Sequence, residues 1–244
     1  MIAPVGKTNE PTRFAWLEKA LTAIPAGSSI LDAGAGQQQF RKYCTHLRYV
    51  SQDFSQYDGK GDGAGLQDGK WDTSKIDIVS DITSIPAKDG SFDAVMCTEV
   101  LEHVPDPVKA LNELVRLVRP DGWLILTAPF CSLTHMAPYH FATGFSQYFY
   151  RNHLARLGME IVDLQPNGNY FEYLAQETRR LRGIAQRYVS RELTQSESIA
   201  IDTTLKLLSE LSAADQGSSE LLCFGIHVLA RKQQKQHANK VSRS

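Results

Sequence analysis

The sequence has no paired cysteines, no surplus of one charge and no long apolar run, and each absence removes a class of function. Its four cysteines (Cys44, Cys97, Cys131 and Cys223) are far apart and form no CxxC pair, so neither a zinc site nor a disulfide framework is suggested. No stretch approaches the roughly 18 apolar residues of a membrane span. The opening MIAPVGKTNEPTRF lacks the apolar centre of a secretory signal, so a cytoplasmic, reduced protein without a membrane span is expected. A formal net charge of −1 over 244 residues gives no general surplus for displacing counterions, and no nucleic-acid partner is expected. Basic residues do gather late. Arg179, Arg180, Arg182, Arg187 and Arg191 share one segment, and Arg231, Lys232, Lys235, Lys240 and Arg243 lie in a tail without an acid. A solvated helix face and a basic end are the plain reading; an anionic partner is the other.

What is present is a rhythm of short apolar runs and helical repeats. Phe14, Leu17, Leu21 and Ile24 recur at helical spacing, which predicts a helix over 10–23 that ends before Pro25. SSILDAG reads as a buried strand entering a glycine turn, QQFRKYCTHL as a helix, and RYVSQDF as a second strand, together a βαβ unit. YDGKGDGAGLQDGKWDTSK then holds five glycines and reads as a flexible loop. A third strand is predicted over IDIVSDI, ending at Asp81, and a fourth over SFDAVMCT, with a helix or turn from Glu99 to Val104. PVKALNELVRLVRPDGWLILTAPF supplies a helix, a Pro-Asp-Gly turn and a fifth strand. An aromatic, histidine-bearing tract follows Phe130; the strands GMEIVDLQ and ELLCFGIHVLA then bracket a helical pattern from 171 to 211. The expected fold is α/β: a doubly wound, mainly parallel seven-stranded sheet with a helical cap inserted before the last strand. One domain spans 1–244, divided as an N-terminal helical segment (1–26), a nucleoside-binding core (27–165), a helical insertion (166–218), the last strand (219–231) and the basic tail (232–244).

In such sheets ligands bind beyond the carboxyl ends of the strands. Those ends carry Asp32-Ala33-Gly34-Ala35-Gly36, Asp53-Phe54, Asp81-Ile82 and Thr98-Glu99. Asp53 falls 21 residues after Asp32, the interval at which an acid reaches ribose hydroxyls in a nucleoside-binding unit. An acid at Asp32 is a poor neighbour for pyrophosphate and a good one for an ammonium group. Gln39 stands where a dinucleotide fingerprint needs its third glycine. S-adenosylmethionine carries an ammonium, a sulfonium, a ribose and an adenine but no phosphate, and it fits this pattern.

The motifs stand in the order found in class I S-adenosylmethionine-dependent methyltransferases, and the chain resembles that family, in its broad type 11 group. ILDAGAG, Asp53, DIT, FDAVMCTEVLEHV and LVRPDGWLILTAPF carry the resemblance, over about residues 28 to 130; the tract 129–150 resembles a bacterial small-molecule or glycan subgroup. The resemblance implies that Asp32, Ala33, Gly34 and Gly36 line the methionine, Asp53 and Phe54 the ribose, Asp81 and Ile82 the adenine, and Thr98 and Glu99 the methyl-donor end. It implies methyl transfer to an oxygen, ahead of a nitrogen, of a small-molecule or glycan-type acceptor. A NAD(P)-dependent oxidoreductase and a non-catalytic nucleoside-binding protein are the alternatives. For a hydroxyl acceptor the candidate bases are His135, His140 and His103, with Phe130, Tyr139, Phe141, Phe145 and Tyr148 as pocket walls. Glu99-x-x-Glu102-His103 could join His135 or His140 around a divalent ion, as a similar arrangement does in some class I methyltransferases. Most members need none, and no metal is assigned. The helical insertion leaves a homodimer open.

Overall fold

The computed structural model describes residues 4–234, so Lys235, Lys240 and Arg243 of the basic tail lie outside the described residues. Seven strands form one sheet: β1 (Ser29–Ala33), β2 (Arg48–Asp53), β3 (Ile78–Val79), β4 (Phe92–Thr98), β5 (Val118–Pro129), β6 (Met159–Asn167) and β7 (Gly225–Lys232). Their order is β3-β2-β1-β4-β5-β7-β6. The first five run parallel, and β7 is antiparallel to both β5 and β6. The chain winds outward from β1 to β3, then returns to begin β4 beside β1. That reversal opens a crevice between the carboxyl ends of β1 and β4, where an open α/β sheet binds its ligand.

Helices cover both faces. α1 (Asn9–Thr22) buries Trp16, Leu17 and Leu21 among Ile30, Met96 and Ile125. α2 (Pro107–Leu117) starts where the Asp106 carboxylate accepts the Lys109 amide at 2.9 Å, with Pro107 in the first turn. Its Ala110, Leu111 and Leu114 pack into the core on the opposite face. α3 (Gln147–Arg156) leads into β6. α4 (Tyr170–Val189) and α5 (Gln195–Ala213) pair with each other between β6 and β7. Asn169 caps the first, and a reciprocal Thr194–Glu197 box caps the second. The five clustered arginines are tied to the chain itself: Arg179 to Val5, Arg180 to Glu177, Arg182 to Asp202, Arg187 to Gly65 and Arg191 to Glu197.

Three local expectations are corrected. QQFRKYCTHL is not an α-helix: it forms turns and one short 3-10 turn at Arg41–Tyr43. Gln38 takes a φ of 58° there, which interrupts any helix, and Phe14 of α1 meets Phe40 edge-on at 5.1 Å on that face. The third strand shrinks to two residues because side chains replace its ladder: Asp77 accepts the Ser51 amide at 2.9 Å, and Gln52 Nε2 donates to the Ser80 carbonyl at 2.7 Å. Pro-Asp-Gly is not a separate turn but an irregularity inside β5, where the register jumps from Phe92–Val118 to Ala94–Trp123 and Asp121 has a φ of 61°.

Candidate active site

A cleft of about 860 Å³ opens at the carboxyl ends of β1, β2 and β4. After β1 the backbone turns at Gly34 (φ 76°) and Gly36 (φ 51°). A Cβ on Gly34 would stand 2.4 Å from Val100 Cγ2, and one on Gly36 would stand 2.5 Å from Trp71 Cζ2. Both positions therefore need glycine for space as well as for the left-handed backbone. The turn amides are already engaged. Gly34 and Ala35 both donate to the Gln52 carbonyl at 2.8 Å, and Gly36 donates to Asp53 Oδ2 at 2.9 Å.

Asp53 is buried, and its other oxygen accepts the Ser55 amide at 2.7 Å. A carboxylate offers about four lone-pair directions, so the side chain is fixed yet can still accept two hydroxyls. Asp81 Oδ1 closes a local turn by accepting the Thr83 amide at 2.7 Å, while Ile82 is buried beside it. Both border the cleft, as do Phe54, Thr98 and Glu99. Glu99 holds a positive φ of 55° and pairs with Arg13 of α1 at 2.9 Å. Sequence reasoning missed Gln52, Arg13 and Trp71 in this wall. Gln52 had left a signal, a polar residue inside a strand that is buried on both faces.

Asp32 and Ala33 are not in the cleft wall. Asp32 is 1% exposed beneath the turn, where Tyr49 donates its hydroxyl to Oδ2 at 2.5 Å and Oδ1 has no partner. Burial pushes its pKa up to about 7; the Asp53 charge adds to this and the Tyr49 hydrogen bond opposes it.

The far end of the cleft is built from two irregular segments. The glycine-rich loop is docked on the histidine tract: Leu66 donates its amide to the Thr134 carbonyl at 2.9 Å, Met136 donates back to the Leu66 carbonyl at 2.9 Å, and Asp62 donates to the Ala137 carbonyl at 3.0 Å. These bonds place Asp68 and Trp71 in the cleft wall on one side, with His135 and Met136 on the other. His103 and His135 both line the cleft, their ring centroids 4.6 Å apart. His140 stands behind them, 4.9 Å from His135 and 3.2 Å from the Ser132 hydroxyl. Burial, then the neighbouring His135 and His140, lower the His103 pKa to about 4. Burial and His135 also lower His140. Glu102 is fully buried, and burial first, then the Glu99 charge, raise its pKa well above the carboxylate range. Of the aromatics named from the sequence, Tyr139 and Phe141 reach the cleft. Phe145 is buried in the core with Phe130 packed against it, and Tyr148 is 72% exposed. Among the described residues, α4 and α5 contribute nothing to the cleft wall.

Comparison with known proteins agrees with this geometry. The family model described as "Methyltransferase domain" matches residues 31–126, from the middle of β1 into β5. Over those residues the chain is similar to methyltransferase domains. It is 32% identical over 122 residues to a ubiquinone biosynthesis O-methyltransferase of Dechloromonas aromatica, covering 48% of this chain and 50% of that protein. It is 33% identical over 135 residues to a demethylmenaquinone methyltransferase of Renibacterium salmoninarum, covering 54% and 52%. The chain thus spans about half the length of the curated relatives it matches. Among solved structures, a SAM-dependent methyltransferase from Archaeoglobus fulgidus superposes with a TM-score of 0.56 at 13% identity, covering 91% of this chain and 94% of that one. At that identity the likeness speaks for the methyltransferase fold alone. No helix among the described residues is long and apolar enough to cross a membrane.

Proposed function

We propose that this protein is an enzyme that transfers a methyl group from S-adenosylmethionine to an oxygen of a small-molecule or glycan-type acceptor. The observation that carries the reading is the state of the glycine turn. Its three amides, Gly34, Ala35 and Gly36, are bonded to Gln52 and Asp53, and no α-helix begins behind them. A dinucleotide needs such amides and a helix N-terminus for its pyrophosphate. A nucleoside carrying no phosphate needs neither. This weighs against an oxidoreductase.

The residues present fit that donor. Asp53, fixed by two amides, accepts the ribose hydroxyls. Ile82 packs on the adenine, Asp81 accepts from its amino group, and the Gly34–Gly36 turn with Thr98 and Glu99 borders the methionine portion. Asp32 acts from behind the turn, as a buried carboxyl close enough to Asp53 to feel its charge. The donor supplies an electrophilic methyl on a positively charged sulfur. The chain's part is to align the acceptor and to exclude water, and orientation alone can supply about 7–11 kcal/mol of the barrier. At the acceptor end His135 and His103 are the imidazoles in the wall, and they meet the acceptor's hydroxyl. The O-methyltransferase name of the Dechloromonas relative supports oxygen ahead of nitrogen.

The test is a calorimetric titration with S-adenosylhomocysteine, with NADH as the matched control. Micromolar binding of the first alone is expected. Binding of NADH alone would replace the reading with the oxidoreductase one. Binding without turnover of any hydroxylated acceptor would favour a nucleoside-binding protein that kept the fold.

A further inference from the structure

Glu102, His103 and His135 bring one carboxylate and two imidazoles together, with ligand atoms all within 4.8 Å of one another. The Glu102 side chain is fully buried, and neither of its oxygens has a hydrogen-bond partner. His103 Nε2 lies 3.7 Å and His135 Nε2 3.9 Å from the same oxygen, Oε1. Both distances exceed a hydrogen bond. The opposite ring nitrogens settle which tautomer is present. His103 Nδ1 is 2.5 Å from the Tyr139 carbonyl, and His135 Nδ1 is 2.8 Å from the Leu133 carbonyl. A carbonyl only accepts, so each Nδ1 carries the proton and, in the neutral ring, each Nε2 presents a lone pair. A cation that displaces the Glu102 proton would meet three converging lone-pair atoms that make no hydrogen bond with one another. Electrostatics favours a cation there. Anchoring of the outer N–H to a backbone carbonyl is also the arrangement that metal-binding histidines adopt.

We propose that Glu102, His103 and His135 form a three-ligand site for a divalent transition ion, open towards the acceptor end of the cleft. Two imidazoles and one carboxylate suit zinc, cobalt, iron or manganese rather than magnesium or calcium, which prefer all-oxygen sites. Glu99 is not a ligand, because Arg13 holds its carboxylate. The edge of a tetrahedral site with bonds of about 2.1 Å is about 3.4 Å. The ion would thus draw each ring a few tenths of an ångström closer to Oε1 and close the widest pair of ligand atoms, which lie within 4.8 Å, by up to about 1.4 Å, a movement for the irregular tract around His135 to supply. His140, a ring away and bonded to Ser132, stays outside the set.

The role of this site rests on the methyl-transfer reading and deepens it. The acceptor becomes one whose hydroxyl oxygen can join the ion, which lowers the pKa of that hydroxyl. The O–H proton passes to solvent, the oxygen forms the new bond to the methyl carbon, and the C–S bonding pair remains on sulfur. His135 and His103 then serve as ligands rather than as bases.

The full chain, stripped with a chelator, is titrated with Co²⁺ and Zn²⁺, and the cobalt spectrum is read for four- or five-coordinate geometry. One ion per chain is expected, with affinity lowered at least about tenfold in His135→Ala and in Glu102→Gln. His153→Ala, on α3, serves as the control that leaves binding unchanged. S-adenosylhomocysteine affinity should stay within about twofold in all three variants, since its site is distinct. Absence of a one-to-one ion, or affinity unchanged in both His135→Ala and Glu102→Gln, overturns the proposal and leaves a proton on Glu102 as the only occupant. If the ion binds as described while S-adenosylhomocysteine does not, the ligand set stands and the methyl-transfer reading falls.

Discussion

The end of the cleft proposed for the nucleoside takes its residues from the tips of β1, β2, β3 and β4, whereas the end proposed for the acceptor takes His103 from a short 3-10 turn and the rest from 58–71 and 131–145, which contain no helix and no named strand. The first end is pinned by a sheet whose register leaves little freedom: Asp53 is the last residue of β2 and pairs with Val79. The second is pinned by hydrogen bonds between two loops, among them the isolated bridge from Leu66 to His135. Regular structure fixes where a common donor must lie. Irregular structure, free to vary without disturbing the sheet, is where acceptor choice can reside. Variants at the two ends should therefore separate donor binding from acceptor turnover.

The largest effect belongs to Asp53. Two charge-assisted hydrogen bonds to ribose are worth about 1.5–3 kcal/mol each, so Asp53→Ala should weaken S-adenosylhomocysteine binding by roughly 10²- to 10⁴-fold. The substitution also frees the Gly36 amide that Oδ2 now accepts. Calorimetry that found less than a tenfold loss would remove Asp53 from the donor site.

Asp32 gives the next effect, seen in stability rather than binding. Its pKa in the folded protein is about 7 against an ordinary 3.8. Between those values the folded state holds more protons than the unfolded one, so stability falls as pH rises through that window. The loss reaches at most about 4 kcal/mol by pH 8. Asp32→Asn, which cannot ionise, should remove most of this slope. Denaturant unfolding at pH 5 and pH 8 compares the two proteins, and equal slopes would mean that Asp32 ionises freely.

These two carboxylates also show how far the sequence can be read. Asp53, Thr98 and Glu99 sit in the wall because a buried parallel strand leaves its last residues one exit, and Asp81 and Ile82 reach it from the turn after the edge strand β3. Asp32 carries the same motif signal yet lies behind the wall, since Tyr49 on the neighbouring strand binds it. The predicted helix after β1 failed for a related reason: α1, earlier in the chain, packs over Phe40 and Cys44 on that face. At the other end the sequence offered a list, of which His103, His135, Tyr139 and Phe141 reach the cleft, but not the path that brings them together. Glu102 and His103 are neighbours in sequence, but His135 joins them through a tract ordered by a loop some seventy residues earlier, and no periodicity records such a contact.

The docked loop can be tested by itself. Leu66→Pro removes the amide that donates to Thr134 and should lower kcat/KM for the acceptor about tenfold, because small displacements of positioning groups are costly. Binding of S-adenosylhomocysteine should change little. An equal loss in both would mean that the loop serves the nucleoside end through Trp71, which stands against Gly36.

The smallest effect is expected at Arg187, and it bears on the helical insertion. Arg187 of α4 donates to the Gly65 carbonyl at 2.7 Å, next to the Leu66 bridge. The side chain is exposed, so this bond competes with water and is worth little. Arg187→Ala should cost about two- to threefold in acceptor kcat/KM and leave S-adenosylhomocysteine binding unchanged. A loss as large as that of Leu66→Pro would carry a different meaning. It would show that the loop is held from α4, and that the insertion governs the acceptor end through the loop although it contributes no residue to the cleft wall.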